Sequence, residues 1–127
     1  MNKATYDSRF FIEFYYSTNQ NLRQKIMEKK RIKKRYISAV VILEVYNISL
    51  ARQGREVAQT RACSINEEFQ VIPVDQQIAQ VSAELRHKYN ISMGDSMIAA
   101  TALVLKAVCI TDDLHLKQIK EIETAWI

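Results

Sequence analysis

The chain has 127 residues, 48% of them hydrophobic and 25% charged, with a formal net charge of +4. That size suits one domain burying roughly two thirds of the surface its unfolded form exposes, and the composition excludes a disordered polymer. No apolar run approaches the roughly 18 residues that span a bilayer, and Met1-Asn2-Lys3-Ala4-Thr5-Tyr6-Asp7 lacks the apolar stretch of a secretion signal, so a cytoplasmic protein with no membrane partner is expected.

In chain order, Lys3 to Asp7 reads as a short strand and Ser8 to Ser17 as a helix rich in aromatics, with Phe10, Phe11, Phe14, Tyr15 and Tyr16 expected in the core rather than on a base-stacking platform. A second helix, capped by Asn19 or Asn21, is expected to continue through the lysine-rich segment with Leu22, Ile26, Met27 and Ile32 on its apolar side. Tyr36-Ile37-Ser38 follows as a short strand. The segment through Glu44 to about Arg52 reads as a helix, because Val41, Val45, Ile48 and Ala51 recur at spacings of three and four. Gly54 breaks that helix, and Arg55 to about Cys63 reads as a short one.

Phe69 to Val74 is rich in strand formers, and Pro73, which lacks a backbone donor, should end the strand. Asp75 suits an N-cap for a helix through Ile78, Val81, Leu85 and Tyr89. After the loop Asn90 to Gly94, a helix runs from Asp95 or Ser96 to about Lys106. Ala107 to Ile110 then reads as a buried strand, Asp113 to about Ile119 as a short helix and Ile122 to Trp126 as a last strand. Strands alternating with helices imply an α/β fold: a three-layer α/β/α sandwich around a mainly parallel sheet, spanning residues 1–127 as one domain. In such sheets ligands bind beyond the carboxyl ends of the strands.

Two glycines and one proline leave no glycine-rich phosphate loop, which argues against a kinase, an NTPase or a nicotinamide-binding enzyme. No serine nucleophile motif occurs. Cys63 and Cys109 lack paired metal-ligand spacing and are expected to be small buried residues, while His87 and His115 stand alone without a zinc pattern.

Four acids draw the eye. Asp7 closes the first strand, Glu44 lies between Leu43 and Val45 within a helix that is apolar on more than one side, Asp95 opens an alanine-rich helix, and Asp113 follows the strand ending at Ile110. Unpaired carboxylates in apolar surroundings are costly, so their convergence would be stabilised by a divalent cation; oxygen donors suit Mg²⁺ or Mn²⁺. Helix capping is the plainer alternative for Asp95 and for Asp113, and an exposed turn for Asp7.

The charge is uneven. Between Asn21 and Tyr36, Arg23, Lys25, Lys29, Lys30, Arg31, Lys33, Lys34 and Arg35 face a single acid, Glu28, for a local charge of +7. Such a strip would attract a polyanion and steer it toward the acids; a solvated helix face is the alternative.

The segments Tyr6-Asp7-Ser8, Ile37-Ser38 with Glu44, Met93-Gly94-Asp95-Ser96-Met97-Ile98-Ala99-Ala100-Thr101-Ala102-Leu103 and Val108-Cys109-Ile110-Thr111-Asp112-Asp113 together resemble the PIN-domain nucleases over nearly the whole chain. The carboxy-terminal pair of motifs carries the resemblance furthest, an aspartate opening an Ile-Ala-Ala-x-Ala-Leu helix and a Thr-x-Asp 18 residues later. The compact length resembles the single-domain VapC-type toxins of bacterial and archaeal toxin–antitoxin pairs.

This resemblance implies a metal-dependent ribonuclease in which Asp7, Glu44, Asp95 and Asp113 are the catalytic, metal-binding acids. Ser8 and Thr111 match the family's hydroxyl positions. It also implies RNA as substrate, a cognate antitoxin that fills the acidic groove, and a homodimer. Two departures stand out: Arg9 replaces the usual small polar residue two places after the first aspartate, and Asp112 beside Asp113 leaves open which carboxylate faces the metal, although the spacing from Thr111 favours Asp113. Arg9 and the lysine-rich segment also fit a noncatalytic RNA-binding or regulatory PIN-like module, and a solitary RNA-processing nuclease is a further alternative. A phosphate-accepting receiver domain lacks the lysine it needs after the last strand.

Overall fold

A computed structural model describes residues 2–127. Five parallel strands form one sheet in the order β3-β2-β1-β4-β5. They are β1 Lys3–Tyr6, β2 Lys34–Ser38, β3 Gln70–Ile72, β4 Val108–Ile110 and β5 Thr124–Ala125. The helices are α1 Ser8–Tyr16, α2 Gln20–Lys29, α3 Ala39–Gln53, α4 Arg55–Glu68, α5 Gln76–Tyr89, α6 Met93–Leu105 and α7 Leu114–Lys117. They flank the sheet in the α/β/α arrangement expected from the alternation of elements.

The central strand shows why the sheet is parallel and covered. Ala4, Thr5 and Tyr6 are all 0% exposed, a strand buried on both faces as helical crossovers require. Helix α6 packs on β1 and β2 with Ile98, Ala99, Ala100, Thr101 and Ala102 all buried; its small side chains let backbone approach backbone. Tyr6, Phe10, Phe11 and Phe69 meet edge to face at centroid separations of 4.8 to 5.3 Å, so the first aromatics of α1 are core, as expected. Tyr6 also donates its hydroxyl to the Lys29 carbonyl at 2.6 Å, tying the end of α2 to β1.

Several boundaries differ from the sequence reading. Helix α2 stops at Lys29 instead of running through the lysines, because the Arg35 guanidinium takes the carbonyls of Lys30 and Ile32 at 2.7 and 3.2 Å and holds that stretch as a turn into β2. Met27 is 51% exposed rather than part of the apolar side. Helix α4 runs on to Glu68, five residues past Cys63, since Ile65 continues its buried face. Cys63 itself is exposed, on the outer face of α4, whereas Cys109 is buried in β4 as expected. Gly54, at φ 91°, separates α3 from α4 in a conformation that other residues adopt only with strain. No helix among the described residues is long and apolar enough to cross a membrane.

Candidate active site

The ends of β1 and β4 are adjacent, with Tyr6 paired to Ile110, and this register brings the first and last acidic motifs together at the carboxyl edge of the sheet. Asp7 stands at the N-cap position of α1, yet its carboxylate caps nothing. It accepts instead from the Thr111 hydroxyl at 2.7 Å and from the Ser8 hydroxyl at 3.3 Å, and it is 2% exposed. Thr111 also accepts from the Asp113 N–H at 3.0 Å, so one buried hydroxyl orders both aspartates.

Asp95 is freed from capping in a different way. Helix α6 begins at Met93, two residues earlier than the sequence reading placed it, with Ser92 as N-cap accepting from the Asp95 N–H at 3.1 Å. The Asp95 carboxylate therefore sits in the first turn, where the helix dipole favours negative charge. Asp113 does cap α7, accepting from the His115 N–H at 2.8 Å. That bond occupies one lone pair and leaves the carboxylate beside Asp95: one donor atom each from Asp95, Asp113 and His115 lie within 4.8 Å of one another.

Glu44 reaches the same place from α3, whose N-cap Ser38 ends β2 and so starts the helix at the carboxyl edge. A Cβ built on Gly94 would lie 3.6 Å from Glu44 Oε2, which sets the carboxylate against the start of α6 next to Asp95. Glu44 Oε1 is buried and has no hydrogen-bond partner.

The electrostatics reflect this crowding. Burial is the first cause raising Asp7 to about 6; the Thr111 hydroxyl and the Ser8 backbone N–H pull it down, and the Asp95 and Asp113 carboxylates push it up. Glu44 is raised to about 7 by burial first, then by repulsion from Asp7 and Asp95, with Ser8 partly offsetting both. Asp95 is raised by burial and then by Asp113. Even the Cys109 thiol is pushed up, by burial and then by the field of the same aspartates. An orphaned buried oxygen and four mutually repelling carboxylates fit a hard divalent cation, whose charge offsets both desolvation and repulsion.

The remaining sequence candidates fall elsewhere. Arg9 binds Asp112 through Nε at 3.0 Å and Nη2 at 3.3 Å and lies 3.5 Å from Glu13; Asp112 is thereby engaged by Arg9, while Asp113 lies beside Asp95. The basic strip lies at the opposite edge. Lys34 and Arg35 open β2, about 13 Å of strand before Ser38 closes it. Arg35 is bound to the carbonyls of Lys30, Ile32 and Glu68, and Lys30 pairs with Glu68 and covers the Phe14 ring. Lys29 is half-buried at the end of α2, whereas Arg31, Lys33 and Lys34 are exposed. Of the side chains around the pocket, His115 carries no metal-site motif in the sequence, because no second histidine or cysteine stands at ligand spacing from it. The signal available was its place two residues after Asp113.

The PIN domain family matches residues 5–122, and the chain belongs to that family of nucleases, hydrolases acting on nucleic acid. Among solved structures, VapBC from Salmonella typhimurium bound to DNA is similar with a TM-score of 0.81 at 18% identity, covering 99% of this chain and 98% of that one. VapBC2 from Rickettsia felis, bound to a DNA fragment from its promoter, gives a TM-score of 0.81 at 14% identity, covering 98% of each chain. The VapC20 toxin of Mycobacterium tuberculosis, which cleaves the sarcin–ricin loop, gives 0.74 at 14% identity, covering 94% of this chain and 98% of that one. These neighbours are toxins of VapBC systems, and at such identities they establish the shared fold. No curated protein matches the chain by sequence.

Proposed function

We propose that the chain is a divalent-metal-dependent ribonuclease, the toxin of a VapBC-type toxin–antitoxin pair. The observation that carries this reading is the approach of Asp7, Glu44, Asp95 and Asp113, from four separate elements, to one partly buried edge of the sheet with an unpartnered Glu44 oxygen. Asp7, Glu44, Asp95 and Asp113 are the residues that would hold Mg²⁺ or Mn²⁺. When bound, the cation supplies charge neutralisation at the phosphoryl oxygens and a water of lowered pKa.

The chain's own groups do the rest. Thr111 and Ser8 fix the Asp7 carboxylate by hydroxyl donation, so its free lone pairs keep one direction. Glu44 or Asp95 orients the attacking water in line with the phosphodiester. Arg9, 42% exposed at the rim, is a phosphate contact once it leaves Asp112. Exposed Leu43 and Leu50 on α3 support a homodimer, and the VapBC complexes among the structural neighbours support a cognate antitoxin.

Purified protein supplied with Mg²⁺ or Mn²⁺ should cleave RNA, lose the activity to a chelator, and lose it again in Asp95→Asn with the fold unchanged by circular dichroism. Undiminished cleavage by that variant would defeat the proposal. Salt-sensitive RNA binding with no metal-dependent turnover would favour a noncatalytic PIN-like module instead. Absence of an antitoxin gene beside this one would favour a solitary RNA-processing nuclease.

A further inference from the structure

One metal-capable side chain borders the pocket besides the four acids. His115 is the second residue of α7, and its N–H bond to Asp113 fixes where the imidazole starts. Its Nδ1 stands 3.5 Å from Asp113 Oδ1 and 3.6 Å from Asp95 Oδ2. Both separations exceed the ~2.7–3.2 Å of a good N–H···O bond, so the ring is held closely by neither carboxylate. They fall between the roughly 3 Å separating adjacent donors and the roughly 4.2 Å separating opposite donors around an ion with metal–ligand bonds of about 2.1 Å, so one ion could be shared. The ring is 70% exposed, so little packing opposes its reorientation toward an ion. Among the described residues this is the one trio of histidine, cysteine or acidic side chains whose donor atoms approach so closely.

We propose that His115 is a metal ligand beside Asp95 and Asp113, and that its nitrogen biases the pocket toward Mn²⁺ and Co²⁺ over Mg²⁺. The inference rests on the pocket being a metal site. Mg²⁺ keeps oxygen donors and much of its water, whereas first-row transition ions accept imidazole with affinity rising along the series. A mixed oxygen and nitrogen donor set therefore separates ions that four carboxylates alone would treat more alike.

The untagged full-length chain, loaded with Mn²⁺ alone, tests this by pulsed electron paramagnetic resonance. The chain has two histidines, and His87 lies exposed on α5, so an imidazole signal can be assigned by two variants. Nitrogen modulation on the bound ion is expected in the native protein and in His87→Ala, and is expected to vanish in His115→Ala. By calorimetry, His115→Ala should bind Mn²⁺ at least about tenfold more weakly while its Mg²⁺ affinity stays within about twofold. His115→Gln, which keeps a polar side chain of similar length, should behave like the alanine variant. Bound Mn²⁺ with no nitrogen signal, or equal Mn²⁺ affinity in His115→Ala, overturns the ligand assignment and leaves the metal site standing. Failure of the native protein to bind Mn²⁺ overturns both.

Discussion

The two edges of the sheet treat charge in opposite ways. At the amino edge of β2, Arg35 is bonded to three backbone carbonyls and stacked 5.8 Å from the Phe69 ring, and Lys30 pairs with Glu68 over Phe14. Those cations are satisfied, and they hold the turn between α2 and β2 together. At the carboxyl edge, buried Asp7 and half-buried Glu44 lie among like charges, with raised proton affinities and a Glu44 oxygen that nothing bonds. Charge that is fully paired stabilises a fold; charge assembled against its own repulsion marks a site.

The sharpest way to break this contrast is at Asp7. Asp7→Asn should lower RNA cleavage at least about a hundredfold in a single-turnover assay, because the group that Thr111 and Ser8 hold in place loses its charge. Its metal-free unfolding midpoint at neutral pH should be no lower than that of the native protein, since the neutral side chain avoids the cost of burying the charge. A variant that retained full activity would remove the carboxyl edge from the chemistry.

Arg35→Ala should do the reverse. Losing its bonds to the Lys30, Ile32 and Glu68 carbonyls should lower stability by about 1–2 kcal/mol in urea titration, with Mn²⁺ affinity unchanged. A loss of metal binding in this variant would couple the two edges.

The pH dependence of the metal-free protein sharpens the comparison further. Asp7 rises from 3.8 to about 6 and Glu44 from 4.5 to about 7 on folding. The folded state therefore binds protons more tightly, and the stability this contributes is complete below about pH 4 and lost as pH rises through 6 to 7. Thermal melts without metal should show a lower midpoint at pH 8 than at pH 5. Glu44→Gln should raise the midpoint at pH 8, through a gain in stability of about 1 kcal/mol once solvent screening of this half-buried group is counted, and change little at pH 5. Equal midpoints at both pH values in the native protein would contradict the crowding of carboxylates.

The smallest effect belongs to the exposed part of the strip. Lys33→Ala with Lys34→Ala should leave stability within about 0.5 kcal/mol. The double variant should flatten the salt dependence of RNA binding by a slope of about two, one per phosphate contact. An unchanged slope would remove the strip from the RNA path.

Much of this was legible in the sequence, and the exceptions have physical causes. The alternation of apolar runs with spacing-three-and-four segments read as α/β, and Asp7, Glu44, Asp95 and Asp113 stood out because each interrupts or ends an apolar stretch. What the sequence concealed were effects of distant partners. Nothing within Lys29 to Lys33 announces that Arg35 will take up their carbonyls and stop α2. Cys63 read as buried because free cysteines usually are, but α4 runs past it and turns it outward. Ser92 competes with Asp95 for the cap of α6, and only the folded chain shows that Ser92 takes it and releases the aspartate. His115 was invisible for the same reason: its neighbours are Asp95, 20 residues earlier, and Asp113.

The shared cation is tested most directly by anomalous diffraction at the manganese edge from crystals soaked in Mn²⁺. The expected result is a strong peak in the pocket formed by Asp7, Glu44, Asp95 and Asp113, about 2.1–2.3 Å from carboxylate oxygens among them and within reach of His115 Nδ1. Manganese found solely on exposed acids such as Glu121, with no peak between β1, β4 and α6, would contradict it.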